Sequence, residues 1–158
     1  MVKKNIDIYL DTGSINEVKS HAKKKFIKGF TSNPSLLKKY NSLNIVKFAK
    51  SACSFTNKPL SIEITELHHS KMIDQALIFS EISNNIFIKV PFYDHKGKEL
   101  IKIIEYLHSK NIKLNITAVF SKRQINKLSL ILGGNTESIV SIFAGRIADT
   151  LVSPKEVV

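Results

Sequence analysis

The sequence predicts an α/β fold in which parallel strands alternate with helices. Six short runs of β-branched and aromatic residues recur along the chain, and amphipathic stretches with helical spacing lie between them. Strands that all run in one direction need crossover connections, which are usually helices. The chain has 158 residues, a length that suits one domain and is sufficient to bury a core.

The predicted strands are spread along the whole chain. They cover residues 5–11, 26–33, 60–65, 85–90, 112–119 and 138–144. Their starts lie roughly 20–35 residues apart, which suits either a doubly wound sheet or a β/α barrel. The first strand is followed by "DTGS", which is not the glycine-rich loop of a dinucleotide-binding fold. The sequence therefore favours a (β/α) barrel of the TIM-barrel type.

Helix signals occupy the segments between the strands. Ser14 is a good N-cap, and Glu17 stands at the capping-box position three residues later. Pro34 directly follows Asn33, so that a second helix can begin with proline at its first position. Apolar side chains at helical spacing, and a glycine pair that stops a helix, predict further helices over residues 70–83, 97–111 and 121–134.

The chain carries a large positive charge. Lysine and arginine number 24 against 13 acidic residues, which gives a formal net charge of +11. Such a charge can indicate a polyanionic partner. Here the lysines are scattered over predicted helix surfaces, and they are not grouped with aromatic residues on one sheet face. We therefore expect no nucleic-acid partner and attribute the charge to composition.

The composition also indicates the cellular compartment of the protein. No apolar run approaches the roughly 20 residues that span a bilayer, and the N-terminal segment lacks the uninterrupted apolar stretch of a signal peptide. Cys53 is the one cysteine, so an internal disulfide is excluded. We expect a cytoplasmic protein with no membrane partner.

Every predicted strand carries polar side chains at or near its carboxyl end. In chain order they are Asp11, Asn33, Glu63, Lys89, Asn115 with Thr117, and Ser141 with Arg146 shortly after it. In a β/α barrel the carboxyl ends of the strands converge on the active site. We therefore expect these side chains to meet.

Each of these residues also has a structural explanation. Asp11 could cap the first helix, and Asn33 could serve the turn before the proline. Glu63 and Lys89 could form a buried ion pair. The polar side chains of the fifth strand could simply have found hydrogen bonds within the core. Any one of these explanations is as good as a functional one, but all of them together would be a coincidence.

The set allows a definite chemistry centred on Lys89. Burial disfavours the charged form of an amine, and a neutral lysine amine can attack a ketone to form a Schiff base. The resulting iminium accepts electrons while a carbon–carbon bond is broken or made. Proton transfer would fall to Asp11 and Glu63, with a water held between Glu63 and Thr117. Asn33 and Asn115 suit sugar hydroxyls, whereas Arg146 suits a phosphate.

No metal or other cofactor is expected. His68 and His69 are adjacent, His21, His95 and His108 lie on predicted helical stretches, and Cys53 has no partner cysteine. We interpret the histidines as surface residues.

Six motifs together resemble one enzyme family, the transaldolases of the class I (Schiff-base) aldolases. In the family's order and at about its spacing, the chain contains "YLDTGSI", "GFTSNPSLL", "LSIEIT", "IFIKVP", "LNITAVFS" and "SIFAGRIAD". The resemblance extends from about residue 6 to about residue 150. It implies a β/α barrel that transfers a dihydroxyacetone unit between sugar phosphates, a reaction of the pentose phosphate pathway in carbohydrate metabolism.

The resemblance also implies a role for each polar residue. It matches Lys89 to the Schiff-base lysine, Asp11 to the acid at the carbon–carbon bond, and Glu63 with Thr117 to the pair that holds a catalytic water. The implied substrate-binding residues are Asn33, Asn115, Ser141 and Arg146.

One branch of the family, the fructose-6-phosphate aldolases, is similar to this chain in size and cleaves the sugar phosphate without an acceptor. That branch typically has Gln at the position of Glu63 and Tyr at the position of Phe143. The residues found here favour the transferase. The alternatives are the lyase activity of that branch, or an inactive remnant that binds sugar phosphates.

The resemblance implies eight βα units, whereas this sequence contains six. We therefore expect a single domain over residues 1–158 that is incomplete at its C-terminus. "DTL" also replaces the family's "DTG" at residues 149–151. A barrel with six units has open sheet edges, which argues for a homo-oligomer over a lone monomer.

Overall fold

The computed structural model describes residues 6–157, in which strands and helices alternate as predicted. The strands are β1 Ile8–Asp11, β2 Ile27–Thr31, β3 Leu60–Glu63, β4 Ile86–Pro91, β5 Leu114–Val119 and β6 Ser138–Ile142. The helices are α1 Ile15–His21, α2 Pro34–Lys39, α3 Ile45–Phe55, α4 His69–Ser80, α5 Ile101–Ser109, α6 Lys122–Ser129, α7 Ala144–Ala148 and α8 Pro154–Val157. This confirms the predicted fold class, a (β/α) fold of the TIM-barrel type, here with six βα units. Over the described residues, no helix is long and apolar enough to cross a membrane.

The chain divides into two compact units. One contains the residues up to Glu63 together with Ile78–Ile86, and the other contains Ile64–Leu77 and the chain from Phe87 onward. In each unit, strands that are neighbours in the sequence are neighbours in the sheet. The expectation of a single domain over residues 1–158 stays a prediction.

In the first unit, β1, β2 and β3 form parallel pairs. Asp11 pairs with Thr31, and Thr31 pairs with Ser61. Helices α1 and α3 pack against each other. The apolar core consists of fully buried side chains that include Val18, Phe30, Ala49, Ala52, Leu60 and Ile62.

In the second unit, β4, β5 and β6 also pair in parallel. Lys89 pairs with Asn115, and Asn115 pairs with Ile139. Helix α5 packs on β5, which explains the alternation of buried and exposed residues along that helix. The core includes Ile88, Val90, Phe92, Leu100, Ile104, Leu107, Leu114, Ile116 and Leu128.

The N-terminus of α1 forms the predicted cap in part. Ser14 Oγ accepts a hydrogen bond from the backbone N–H of Glu17 at 3.3 Å. The Glu17 carboxylate does not complete a capping box, because it accepts hydrogen bonds from the hydroxyls of Thr12 and Tyr40. The backbone N–H of Ser14 donates to Thr12 Oγ1 at 3.0 Å. Thr12 therefore replaces Glu17 as the partner of the Ser14 N–H.

The structure corrects three details of the predicted helices. Helix α3 was not predicted; it begins at the N-cap Asn44, whose Oδ1 accepts from Lys47 N at 2.9 Å. Helix α5 begins only at Ile101, because residues 93–99 form a hairpin-like turn in which Gly97 has a φ of +75°. His95 therefore lies in a loop and not on a helix. Helix α6 ends at Ser129, before the glycine pair.

Gly13 allows two backbone segments of the first unit to approach closely. A Cβ atom at this position would lie 2.6 Å from the carbonyl oxygen of Leu36 and 2.8 Å from the backbone nitrogen of Leu37. The Gly13 carbonyl also accepts a hydrogen bond from Ser42 Oγ at 2.9 Å. The loop after β1 is thus fixed against α2 and the turn that follows it.

We expect Gly13→Ala to destabilise the protein by about 1–3 kcal/mol, because the new methyl group would collide with backbone atoms that cannot rotate away. Urea unfolding followed by circular dichroism measures the change. Gly133→Ala is the matched control, since a Cβ there meets nothing within 4 Å. The control should stay within about 0.5 kcal/mol of the unmodified protein. Equal effects of the two substitutions would contradict this view of Gly13.

Candidate active site

Lys89 is an almost buried lysine within a strand. It lies in β4 and is 9% exposed, while its neighbours Ile88 and Val90 are fully buried. Successive side chains of a strand point to opposite faces. Ile88 and Val90 therefore share one face of β4, and Lys89 lies on the other. A lysine at such a position is held in surroundings with restricted access to water.

The pairing of β4 with β5 places two further predicted residues on the Lys89 face. Lys89 pairs directly with Asn115, and Pro91 pairs with Thr117 two positions further on. Asn115 is 5% exposed and Thr117 is 4% exposed. Residues two apart in a strand share a face. The structure thus brings Lys89, Asn115 and Thr117 together as a buried polar row.

Strand β6 extends this row through Ser141. Its hydroxyl donates a hydrogen bond to Asn115 Oδ1 at 2.7 Å. Because an amide is planar, this bond turns the Asn115 oxygen toward β6 and its NH₂ group away from β6. The predicted contact residue Ser141 therefore orients Asn115.

Arg146 lies apart from the buried row. Its side chain is 76% exposed on α7, and its Nη1 atom lies 3.4 Å from Asp149 Oδ2 one helical turn later. Exposed ion pairs of this kind contribute little to stability. The role of Arg146 as a phosphate ligand stays a prediction.

The strand that carries Asn115 and Thr117 is irregular directly after Thr117. Ala118 has a φ of +56°, in the left-handed region that residues other than glycine seldom occupy. The pairing of β5 with β6 shifts between Ile116 and Val119, which is the signature of a β-bulge. Such strain persists only where surrounding contacts impose it.

Gln124 of α6 supplies those contacts. It is 4% exposed, and its Nε2 donates to the carbonyl oxygen of Ala118 at 3.3 Å. Its Oε1 accepts from the backbone N–H of Phe120 at 2.8 Å and from Ser121 Oγ at 3.1 Å. The side chain of Gln124 thus holds the strained end of β5, and with it the position of Thr117. Sequence reasoning missed this residue.

In the first unit, two predicted carboxylates lie on one face of the sheet. The row of paired residues runs from Asp11 through Thr31 to Ser61, and Glu63 follows Ser61 by two positions. Asp11 does not cap α1, because Ser14 does so. Sequence reasoning missed Thr31 and Ser61. Because residues two apart in a strand share a face, Thr31 could have been grouped with Asn33, and Ser61 with Glu63.

Asn33 does have the structural role that its position before a proline indicated. It is the N-cap of α2, and its Oδ1 accepts from the backbone N–H of Leu36 at 2.9 Å. Pro34 is the first helical residue, as predicted. The side-chain oxygen of Asn33 is thereby engaged, so that a contact to a substrate hydroxyl would use its amide nitrogen.

Gly29 makes room for an aromatic ring next to this row. A Cβ atom on Gly29 would lie 2.2 Å from Cε1 of Tyr9, so that any larger residue would displace the ring. Tyr9 pairs with Gly29 and precedes Asp11 by two positions, which places its ring on the Asp11 face. Sequence reasoning did not identify Tyr9.

A buried carboxylate organises the turn between β4 and α5. The Asp94 side chain is 4% exposed, and its Oδ1 accepts from the backbone N–H groups of Lys96 and Lys98, both at 2.8 Å. Its Oδ2 lies 3.1 Å from His69 Nε2. The pKa of Asp94 is lowered to about 2. The hydrogen bond from the Lys98 N–H is the largest cause, followed by those from His69 and the Lys96 N–H, and burial opposes them.

Comparison with known proteins identifies the family of the chain. Residues 8–157 match the Transaldolase/Fructose-6-phosphate aldolase family. The chain belongs to this family. The motifs of the predicted site thus occur in a chain whose family membership covers nearly its whole length.

Several relatives in the family carry the name "Probable transaldolase". The relative from Dictyoglomus turgidum (strain DSM 6724 / Z-1310) is 35% identical over 142 residues, which cover 90% of this chain and 62% of the relative. That from Clostridioides difficile (strain 630) is 34% identical over 141 residues, 89% of this chain and 61% of the relative. That from Clostridium botulinum (strain Loch Maree / Type A3) is 31% identical over 142 residues, 90% of this chain and 61% of the relative. The chain thus spans about three fifths of the length of these transaldolase-family relatives.

We expect Gln124→Ala to destabilise the protein by about 2–4 kcal/mol, since it leaves buried backbone groups without their partners. Chemical denaturation measures the loss. Asn126→Ala, on the exposed part of the same helix, is the control and should change stability by less than about 0.5 kcal/mol. A Gln124 variant as stable as the control would mean that the bulge at Ala118 does not need this brace.

Asp94 should make stability depend on acid pH. Its pKa is about 2 in the folded chain and about 3.9 in an unfolded one, so its contribution is present above about pH 4 and is lost as the pH falls through about 2. We expect Asp94→Asn to be less stable than the unmodified protein near pH 7, with a difference that shrinks between about pH 4 and pH 2. Urea unfolding at several pH values tests this, with the exposed Asp74→Asn as control. A difference that is independent of pH would contradict the assignment.

Proposed function

We propose that this chain is a transaldolase-like enzyme that transfers a dihydroxyacetone unit between sugar phosphates through a Schiff base on Lys89. The observation that carries the proposal is the nearly buried Lys89 in register with Asn115 and two positions before the level of Thr117. Lys89 shares its face of the sheet with the buried hydrogen-bonding side chains of Asn115 and Thr117. Membership of the transaldolase family supports the same assignment.

The proposed reaction begins with attack of the neutral Lys89 amine on the ketone carbon of the donor. The carbinolamine loses water and gives a protonated imine. A base then removes the proton of the hydroxyl on the carbon beyond the bond to be cleaved. The electron pair of the carbon–carbon bond moves into the iminium, an aldehyde leaves, and an enamine remains on Lys89.

The second half of the reaction is the reverse with a different aldehyde. The enamine carbon attacks the aldehyde carbon of the acceptor, and the new alkoxide takes up a proton. Water then hydrolyses the imine, which releases the product ketose and regenerates the Lys89 amine. No electrons are gained or lost overall, so that no redox cofactor is required.

The family resemblance supports the roles that we propose for the other residues. We propose Asp11 as the group that exchanges the proton at the cleaved bond, and Glu63 with Thr117 as the holders of the water used in imine formation. Asn33 and Asn115 would bind substrate hydroxyls. Ser141 orients Asn115 through the 2.7 Å hydrogen bond, and the exposed Arg146 would reach a phosphate. The pathway we propose is the pentose phosphate pathway of the cytoplasm.

Borohydride trapping tests the nucleophile. After incubation with fructose 6-phosphate and reduction, we expect a mass adduct on the peptide that contains Lys89, since reduction makes the imine permanent. Lys89→Met should carry no adduct, whereas Lys110→Met, which alters an exposed lysine outside the site, should be labelled like the unmodified protein. Circular dichroism establishes that each protein is folded. A folded protein without the adduct, or an adduct that persists in Lys89→Met, would overturn the proposal.

Two other functions would give different results in the same experiments. A fructose-6-phosphate aldolase would form the adduct and also release glyceraldehyde 3-phosphate without an acceptor. The transferase would release at most one equivalent per active site without an acceptor, and it would turn over only when an acceptor aldose is present. Glu63 and Phe143 are the residues that favour this outcome. An inactive sugar-phosphate-binding remnant would show ligand-induced thermal stabilisation that Lys89→Met leaves intact, and no adduct.

A further inference from the structure

The turn between β4 and α5 forms a small cationic pocket together with the start of α4. It has a volume of about 250 Å³, which is below the range of roughly 300–1,000 Å³ that drug-sized ligands occupy. The ionisable side chains that line it are His68, His69, Asp94, His95, Lys96 and Lys98. Five of these six can be positively charged. All lining residues belong to the second unit of the chain.

The single carboxylate in the pocket is already used by the protein itself. Both oxygens of Asp94 accept hydrogen bonds, one from two backbone N–H groups and the other from His69. The side chain is 4% exposed. Its hydrogen-bonding capacity is therefore used within the turn, and its single negative charge stands against the two lysines of the pocket.

In the described part of the chain, the positive charges of the two pocket lysines, Lys96 and Lys98, are not paired in this way. Among residues 6–157, neither Lys96 nor Lys98 forms an ion pair with an acidic side chain. The backbone of both residues is nevertheless fixed, since their N–H groups bind Asp94. Gly97 between them adopts a φ of +75°, which a larger side chain would strain. The turn thus presents two uncompensated lysines from a defined backbone.

The geometry points to a binding site for a small tetrahedral oxyanion, either free phosphate or a phosphate monoester. Lysine is a point-charge ligand for phosphate, and imidazolium adds charge-assisted N–H donors. A concave pocket favours a small anion over a nucleic acid, which would need a longer basic track. Anion binding in this pocket does not require the Schiff-base chemistry of Lys89.

Histidine makes the site sensitive to pH. Imidazole is the side chain whose protonation generally changes at physiological pH, and three imidazoles line this pocket. The charged groups that face them across the pocket are Lys96 and Lys98, with Asp94 against His69. An anion in the pocket would favour the protonated histidines, so that its affinity should rise as the pH falls.

Histidine NMR signals provide a direct test, because the chain has five histidines and three of them line the pocket. Sulfate is the first probe, since its charge does not change over the pH range used. We expect sulfate to shift the signals of His68, His69 and His95 saturably, with affinity at about pH 6 roughly tenfold higher than at about pH 8. The signals of His21 and His108 should not move. Sodium chloride at equal ionic strength is the control for screening.

Paired lysine substitutions complete the test. The double variant Lys96→Ala/Lys98→Ala should bind sulfate at least about tenfold more weakly. Lys102→Ala/Lys110→Ala, which alters exposed lysines on α5 and at its C-cap that do not line the pocket, should bind it unchanged. Inorganic phosphate and glycerol phosphate are then compared, and tighter binding of the ester would identify a phosphorylated metabolite as the ligand. Uniform shifts of all five histidines, reproduction by chloride, or unchanged binding by the Lys96/Lys98 variant would each overturn the inference.

Discussion

The parallel register between β4 and β5 is the constraint on which the candidate site depends. Backbone hydrogen bonds fix it at both ends, from Ile88 N to Lys113 O at 2.8 Å and from Phe92 N to Thr117 O at 3.0 Å. In this register Lys89 lies beside Asn115. A slip of one residue would move every side chain of one strand to the other face and would separate the two. The buried face opposite Lys89 prevents such a slip, because it would expose apolar side chains that are now fully buried.

The sequence was sufficient to predict the order and type of most elements, because each strand is a short β-branched run that ends at a turn signal. Period-two reasoning also placed Asn115 and Thr117 on one face, which the structure shows. The same reasoning could not foresee the bulge at Ala118, since nothing in "NITAV" marks a left-handed residue. That conformation depends on Gln124, which is six residues away and on the next helix. The secondary-structure preferences of neighbouring residues do not reveal such tertiary contacts.

The turn after β4 shows a second limit of sequence reasoning. The apolar period predicted a helix from residue 97, but the chain first closes a turn around Asp94 and becomes helical only at Ile101. Three hydrogen bonds to one carboxylate outweigh the helical preference of a few residues, since hydrogen bonds to a charged group are stronger than those between neutral groups. The sequence "DHKGK" does contain the turn-forming Asp and Gly, and that signal was available.

The structure also changes how the net charge of +11 is understood. In the sequence the lysines were a scattered excess, and several are indeed paired, as in Lys113 with Glu137 and in Lys127 with Glu99. Each such pair removes a positive charge from the outward field. In the turn after β4 the opposite holds, because Asp94 is bound by backbone N–H groups that carry no net charge, and the lysines that supply those N–H groups keep their ammonium charges. The backbone N–H groups of Lys96 and Lys98 thus satisfy the Asp94 carboxylate, while their two ammonium groups leave a local positive charge. A uniform surplus of lysine would attract any polyanion weakly, whereas this arrangement concentrates charge at one small pocket and so favours a small, specific anion.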